Sequence, residues 1–262
     1  MEYKKGLYIT KSALILYFLF NLTNVSFSQN SDSTKVSGHF GGTVTITNYG
    51  ISFIPNFTLG KPAAIFDMSA GKGKLSFEPQ FRFALTGKPW SFVFWWRYKL
   101  LNTDKFLINI GGHPSVTFKI KTLMIDGVST QTTVANQYLA GELSPNYLLS
   151  KNASIGIYYF YGYGLDKVVV KNTHMFSLRS NFSNIRLSEQ VYMRFNPQVY
   201  YLKMADKHGI YFSSSLTLAK RNFPLSVSSL INKTIQTEIS ASKNFLWNVS
   251  LTYSFNKEYV EK

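Results

Sequence analysis

Between Leu75 and Leu100 apolar and polar positions alternate strictly enough for two strands to be read directly. Leu75, Phe77, Pro79, Phe81, Phe83 and Leu85 fall between Ser76, Glu78, Gln80, Arg82 and Ala84. After Thr86-Gly87-Lys88-Pro89, the residues Trp90, Phe92, Phe94, Trp96, Tyr98 and Leu100 fall between Ser91, Val93, Trp95, Arg97 and Lys99. Strand side chains point to opposite faces with period two, so this hairpin has one apolar, aromatic face and one largely polar, charged face. Each run has about the length with which a tilted strand crosses a bilayer.

The same alternation recurs along the chain. Strands are expected over residues 36–47, 57–70, 106–120, 168–182, 187–203, 209–220 and 223–235, with 48–56 as a loop. Further strands are marked by Leu139, Leu143, Tyr147 and Leu149, by Ile155, Ile157, Tyr159, Tyr161 and Tyr163, and by Phe245, Trp247, Val249, Leu251, Tyr253 and Phe255. Asp126-Gly127 is expected in a longer loop. The sum is about twelve strands, with ten the next choice, and no shift in composition marks a second domain. An even number returns the carboxyl end to the side where the chain began. Lipid offers no partners to backbone N–H and C=O groups, so the predicted architecture is an all-β, antiparallel transmembrane barrel whose first and last strands pair. A secreted β-sandwich, its apolar faces turned toward each other, is the soluble competitor. It has little reason to make one face of so many strands this long and aromatic.

The amino terminus has the layout of a secretory leader. Lys4, Lys5 and Lys11 precede an apolar run from Ala13 to Phe20, which relaxes into small and polar residues. Residues 1–28 are read as a signal peptide cleaved before Gln29, and residues 29–262 as one barrel domain. The apolar run is shorter than the roughly 20 residues of a spanning helix.

Composition narrows the chemistry. The absence of cysteine excludes a disulfide framework, thiolate catalysis and cysteine-built metal sites. His39, His174 and His208 lie on separate segments without ligand-like spacing, so neither metal nor other cofactor is expected. Gly71-Lys72-Gly73-Lys74 reads as a tight turn rather than a phosphate cradle. The 28 Lys and Arg against 13 Asp and Glu point to an anionic partner. Export and the lack of any nucleic-acid-binding signature turn that charge toward the lumen and loops of a membrane protein. Twenty-two Phe, 17 Tyr and 4 Trp suit a lipid-facing band edged by aromatic girdles.

The phrases Ser76-Phe77-Glu78-Pro79-Gln80-Phe81-Arg82-Phe83 and Gly87-Lys88-Pro89-Trp90-Ser91-Phe92, with the terminal strand ending in Phe255, resemble outer-membrane β-barrel proteins of the Bacteroidetes type. The resemblance implies residence in the cell outer membrane and contact with its lipid. It implies no single activity, since that class resembles porins, small-solute channels and structural barrels alike. Such barrels finish on a terminal aromatic residue, whereas residues 256–262 trail after Phe255 here.

Function is therefore argued from the enclosed face. Parity sends Glu78 and Arg82, Arg97 and Lys99, Lys119, Glu142, Arg179 and Arg194 to the lumen, with Gln80, Lys121 and Gln198. Basic groups outnumber acidic ones there, so a water-filled lumen favours small anionic solutes. The expected function is a passive pore or binder for such solutes, acting as a monomer and not as an enzyme. If Glu78, Arg82, Arg97, Glu142 and Arg194 instead neutralise one another, the barrel is a non-conducting scaffold or anchor for a surface complex. The inward Trp95, Tyr158, Phe160 and Tyr192 argue for constriction. A third reading starts from His113-Pro114-Ser115, which resembles the histidine and serine of outer-membrane phospholipases. Those enzymes follow the serine with Asn-Gly, where this chain has Val116-Thr117, and parity turns His113 and Ser115 inward.

Overall fold

A computed structural model describes residues 37–125 and 128–260. The leader expected at residues 1–28 lies outside them, as does the Asp126-Gly127 pair. Twelve strands follow one another: β1 (Ser37–Thr47), β2 (Ala63–Lys72), β3 (Leu75–Ala84), β4 (Pro89–Asn102), β5 (Phe106–Ile125), β6 (Val128–Ser150), β7 (Ala153–Gly164), β8 (Asn172–Arg186), β9 (Val191–Met204), β10 (Lys207–Lys220), β11 (Leu225–Thr237) and β12 (Phe245–Val260). Each pairs antiparallel with its sequence neighbours, and β1 pairs with β12 from Ser37↔Val260 to Thr47↔Ser250, closing the sheet into a barrel. Closure removes the unpaired edge that hydrocarbon could not solvate.

The two ends differ. Residues 73–74, 103–105, 151–152, 187–190 and 221–224 make short turns at one end, which we call the short-turn end. The longer connections, residues 48–62, 165–171 and 238–244, gather at the other, the long-loop end. There the β5–β6 hairpin, with strands of 20 and 23 residues, outlasts its neighbours: β4 leaves it at Thr117 and β7 at Tyr138.

The wall is inverted relative to a soluble protein. Phe66, Trp96, Leu143, Phe176, Leu218 and Trp247 are exposed on its outside, while Asn136, Glu142, Ser144, Ser177, Ser213 and Asn248 are buried within. An apolar exterior around a polar interior is the arrangement a barrel in lipid requires. Pro114 illustrates how the ladder tolerates a missing donor. It pairs with Leu139 of β6, but on the β4 side the pairing breaks between Val93↔Ser115 and Trp96↔Gly112, where proline has no N–H to give.

Several sequence-derived boundaries are corrected. The strand expected over 57–70 begins only at Ala63, because Gly60 adopts φ 72° and Pro62 offers no ladder donor. That expected over 168–182 runs Asn172–Arg186, since residues 165–171 form a loop gathered by Lys171, whose Nζ donates to the carbonyls of Gly164, Leu165 and Asp166. That expected over 187–203 starts at Val191, after a turn in which the Ser188 hydroxyl accepts from the Val191 N–H at 3.0 Å. No long loop surrounds Asp126-Gly127: pairing persists to Ile125↔Val128. Nor do residues 256–260 trail away, since β12 continues to Val260 along β1. Trp90, read as lipid-facing, is turned inward and only 4% exposed, whereas Trp96 of the same parity is 51% exposed. Pairing passes from Arg82↔Ser91 to Phe83↔Pro89, so Trp90 is the extra residue of a bulge in β4 and the alternation breaks there.

Candidate functional site

The lumen carries the polar chemistry, and one side of its wall concentrates the charge. Arg97 of β4 lies between two carboxylates. Its Nε donates to Glu142 Oε1 at 2.6 Å, its Nη2 reaches Glu142 Oε2 at 3.4 Å, and its Nη1 donates to Glu78 Oε2. Ser76 and Tyr158 complete the set, donating to Glu78 Oε1 at 2.7 Å and to Glu142 Oε2 at 2.8 Å. The Glu142 side chain is only 4% exposed, so this is a largely desolvated pair that depends on its full set of hydrogen bonds. The Trp95 ring carries the Arg97 guanidinium at 4.3 Å, and the Tyr158 ring carries that of Arg179 at 4.8 Å. Arg179 also donates to the Ser144 hydroxyl.

The remaining sequence-selected residues are spread out. Arg82 lies apart from the Arg97 cluster, its Nη2 donating to Gln80 at 2.8 Å and its guanidinium 5.5 Å from the Trp90 ring. Its acidic neighbour is Asp67 of β2. Lys119 stands at the long-loop mouth, and Lys99 and Arg194 are exposed toward the short-turn end. Arg194 therefore takes no part in the neutralising network, and neither does Lys99.

Sequence reasoning missed the main occupant of the lumen, the loop 48–62. Instead of crossing the rim, it turns inward and is fastened on both sides. Internally, the Gly50 N–H donates to the Lys61 carbonyl at 2.8 Å, and the Ser52 N–H to Thr58 Oγ1 at 3.1 Å. Toward β4, Trp90 Nε1 donates to the Phe57 carbonyl at 2.7 Å, while Phe57 meets Tyr138 edge-on with centroids 5.1 Å apart. Toward β9, the Tyr200 hydroxyl donates to the Phe53 carbonyl at 3.1 Å and accepts from Asn232 Nδ2 at 2.7 Å. A Cβ at Gly50 would stand 3.0 Å from the Trp90 ring, so the close approach of loop and wall uses glycine's missing side chain. Ile54 then joins Met175, Tyr200, Leu202, Met204, Tyr211 and Ile239 in an apolar core at the long-loop end. The legible signal was composition: Gly50, Pro55, Gly60 and Pro62 punctuate Ile51, Phe53, Ile54, Phe57 and Leu59, apolar residues that such a segment cannot bury by joining a ladder.

The loop divides the interior. Toward the short-turn end lies a cavity of about 510 Å³, within the size range of small-molecule sites. Asn109, Asn146, Asn181, Asn196 and Gln198 line it with several serines, Phe53 closes it, and Arg179 is its one charged group. Beside the loop, a pocket of about 160 Å³ holds Arg82, Trp95, His113 and Ser115. At the long-loop mouth, a groove of about 360 Å³ is lined by Lys61, Lys88 and Lys119, and a smaller one by Lys119 and Lys121. No carboxylate lines any of these four spaces. The acids at Glu78 and Glu142 are turned into the wall by Arg97, while cations face the open volume.

His113 and Ser115 are both buried on the enclosed face. The imidazole packs 4.1 Å from the Trp95 ring and 6.2 Å from Phe160, and its Nδ1 has no hydrogen-bond partner. Nothing orients that ring as a general base: among the described residues no carboxylate bonds to it.

No protein-family model matches the chain, and no curated protein matches it. Among solved structures, the chain is similar to the KdgM porin in complex with disordered oligogalacturonate, at TM-score 0.50 and 8% identity over 83% of this chain and 99% of that one. It is also similar to the NanC porin, at TM-score 0.47 and 9% identity over 84% and 100%. An outer membrane channel from Pseudomonas putida F1 aligns at TM-score 0.46 and 8% identity over 87% and 100%. At this identity the likeness to KdgM is one of fold: a closed antiparallel barrel.

Proposed function

We propose that this chain is an outer-membrane β-barrel of the Bacteroidetes type, exported by a leader cleaved before Gln29, that admits small anionic solutes as a monomeric passive pore or binder. The short turns and both termini face the periplasm in this reading, and the long loops face outward. The observation that carries it is the segregation of charge: the four spaces in and around the lumen are lined by Arg82, Arg179, Lys61, Lys88, Lys119 and Lys121 and by no acid. In a channel narrowed by protein of low dielectric, fixed cations raise the local concentration of anions and repel cations. The amides and hydroxyls around Arg179 suit a hydroxylated solute with a carboxylate or phosphate.

The apolar packing around loop 48–62 favours a second reading, a barrel that anchors a surface assembly and conducts nothing. Planar-bilayer recordings under a potassium chloride gradient separate the two. The pore reading expects a reversal potential on the anion side, moved toward zero by Arg179→Gln with Lys119→Gln. Cation preference in the wild type would reject the charge argument, and silence from both the wild type and a loop-shortened variant would favour the anchor.

A further inference from the structure

The outer wall holds a lysine between two histidines that the lumen does not use. At the long-loop rim, His174 of β8 sits opposite Lys203 of β9, and Lys203 sits opposite His208 of β10. The three occupy one row across three adjacent strands, spanning roughly 10 Å at about 4.8 Å per strand. They belong to the outward face, since Thr173, Met175, Leu202, Met204 and Gly209 beside them are buried. His174 Nδ1 meets the Tyr159 hydroxyl at 2.9 Å, and His208 Nδ1 meets Glu238 at 3.1 Å. Each contact orients a ring and leaves its Nε2 without a hydrogen-bond partner among the described residues, and the Lys203 ammonium has none either. Tyrosines flank the row: Tyr161 has its ring 5.0 Å from His174, and Tyr201 lies 6.0 Å from His208. Directly toward the barrel middle the same strands expose Phe176, Leu178, Val199 and Ile210.

We infer that this row binds the phosphate of a phosphorylated lipid headgroup in the outer leaflet, an inference that rests on the outer-membrane placement but not on conduction. The Lys203 ammonium supplies charge and three N–H donors, and a ring on either side adds a donor wherever its Nε2 carries a proton, which suits an anion with several acceptor oxygens. Tyrosine belts mark the headgroup level of a membrane protein. The apolar surface immediately adjoining the cations is what distinguishes a lipid from a free anion, because acyl chains can lie on it while the phosphate meets Lys203. Glu238 is engaged on the Nδ1 side of His208, and Asp206 lies in the turn that joins β9 to β10.

Native mass spectrometry of the full chain in a neutral detergent tests this, with bis-phosphorylated lipid A, dephosphorylated lipid A and inorganic phosphate as probes. The wild type should retain bis-phosphorylated lipid A at detergent levels that strip the dephosphorylated form. His174→Gln/Lys203→Gln/His208→Gln should weaken retention about tenfold, the scale of one lost charge-assisted contact. Lys203→Gln alone should weaken it severalfold, which keeps the test valid should the triple variant fail to fold. Lys220→Gln, at the opposite rim of β10, should bind as the wild type does. Equal retention by wild type and Lys203→Gln, an equal loss in Lys220→Gln, or equal retention of the dephosphorylated lipid would each overturn the proposal. So would complete displacement by millimolar inorganic phosphate, which would mark a free-anion site. Because the row lies outside the lumen, a barrel that passes no ions still returns these results, and the two readings fail separately.

Discussion

The two halves of the lumen are built by the same strands yet hold opposite contents. Near the short turns the interior is an open chamber walled by Asn109, Asn146, Asn196, Gln198 and Arg179. Near the long loops it is filled by residues 48–62 and the apolar core around Ile54, Leu202 and Tyr211. Strand number sets the width of a barrel, so it is equal for both halves. What differs is whether connections fold inward, and here loop 48–62 is tied to opposite walls through Trp90 and Tyr200, with Ile239 of loop 238–244 joining its core. Permeability in a twelve-stranded barrel is thus a property of its loops as much as of its wall.

Erasing the difference should have the largest effect. Replacing residues 50–60 with a short Gly-Ser linker joins the two halves, and single-channel conductance in planar bilayers should rise severalfold. An unchanged conductance would mean that ions pass without meeting this loop. Next comes Trp90→Ala, which removes both a buried ring and the Phe57 tether. The folded state should lose about 3–5 kcal/mol in urea titrations of liposome-refolded protein, while the lipid-facing Trp96→Ala should lose clearly less. Equal losses at the two positions would contradict the inward placement of Trp90. Arg97→Gln probes the charged wall: stranding Glu78 and Glu142 without their cation should cost about 3–5 kcal/mol, and the same titration would expose a neutral result. The smallest effect is expected at Tyr200→Phe, which keeps the ring stack on Tyr211 but gives up the Phe53 tether and the bond from Asn232, for about 1–3 kcal/mol. It should raise open-state noise in recordings more than it lowers stability, and silent noise with a large stability loss would assign Tyr200 to folding rather than to holding the loop.

The wall and its contents were unequally legible. The Leu75 to Leu100 hairpin was read to within a few residues because, Trp90 apart, each side chain's destination follows from its parity alone. Glu78, Arg97 and Glu142 were assigned inward by the same rule, but their convergence depends on the registers Glu78↔Trp95, Arg97↔Gly111 and Gly111↔Glu142, which bring four strands level. Register is a relation between strands, and no single strand records it. Trp90 defied parity because it is itself the extra residue of a bulge against β3.

By itself the chain determined an all-β barrel with its inside and outside. Alternation is local, and hydrocarbon allows few ways to satisfy a backbone. Only the tertiary structure decided that residues 48–62 enter the lumen, that Arg97 engages Glu78 and Glu142 while Arg179 and Lys119 face open space, and that His174, Lys203 and His208 form one row. Each of these joins residues far apart in the chain, and strand register and loop trajectory, not composition, determine which of them meet.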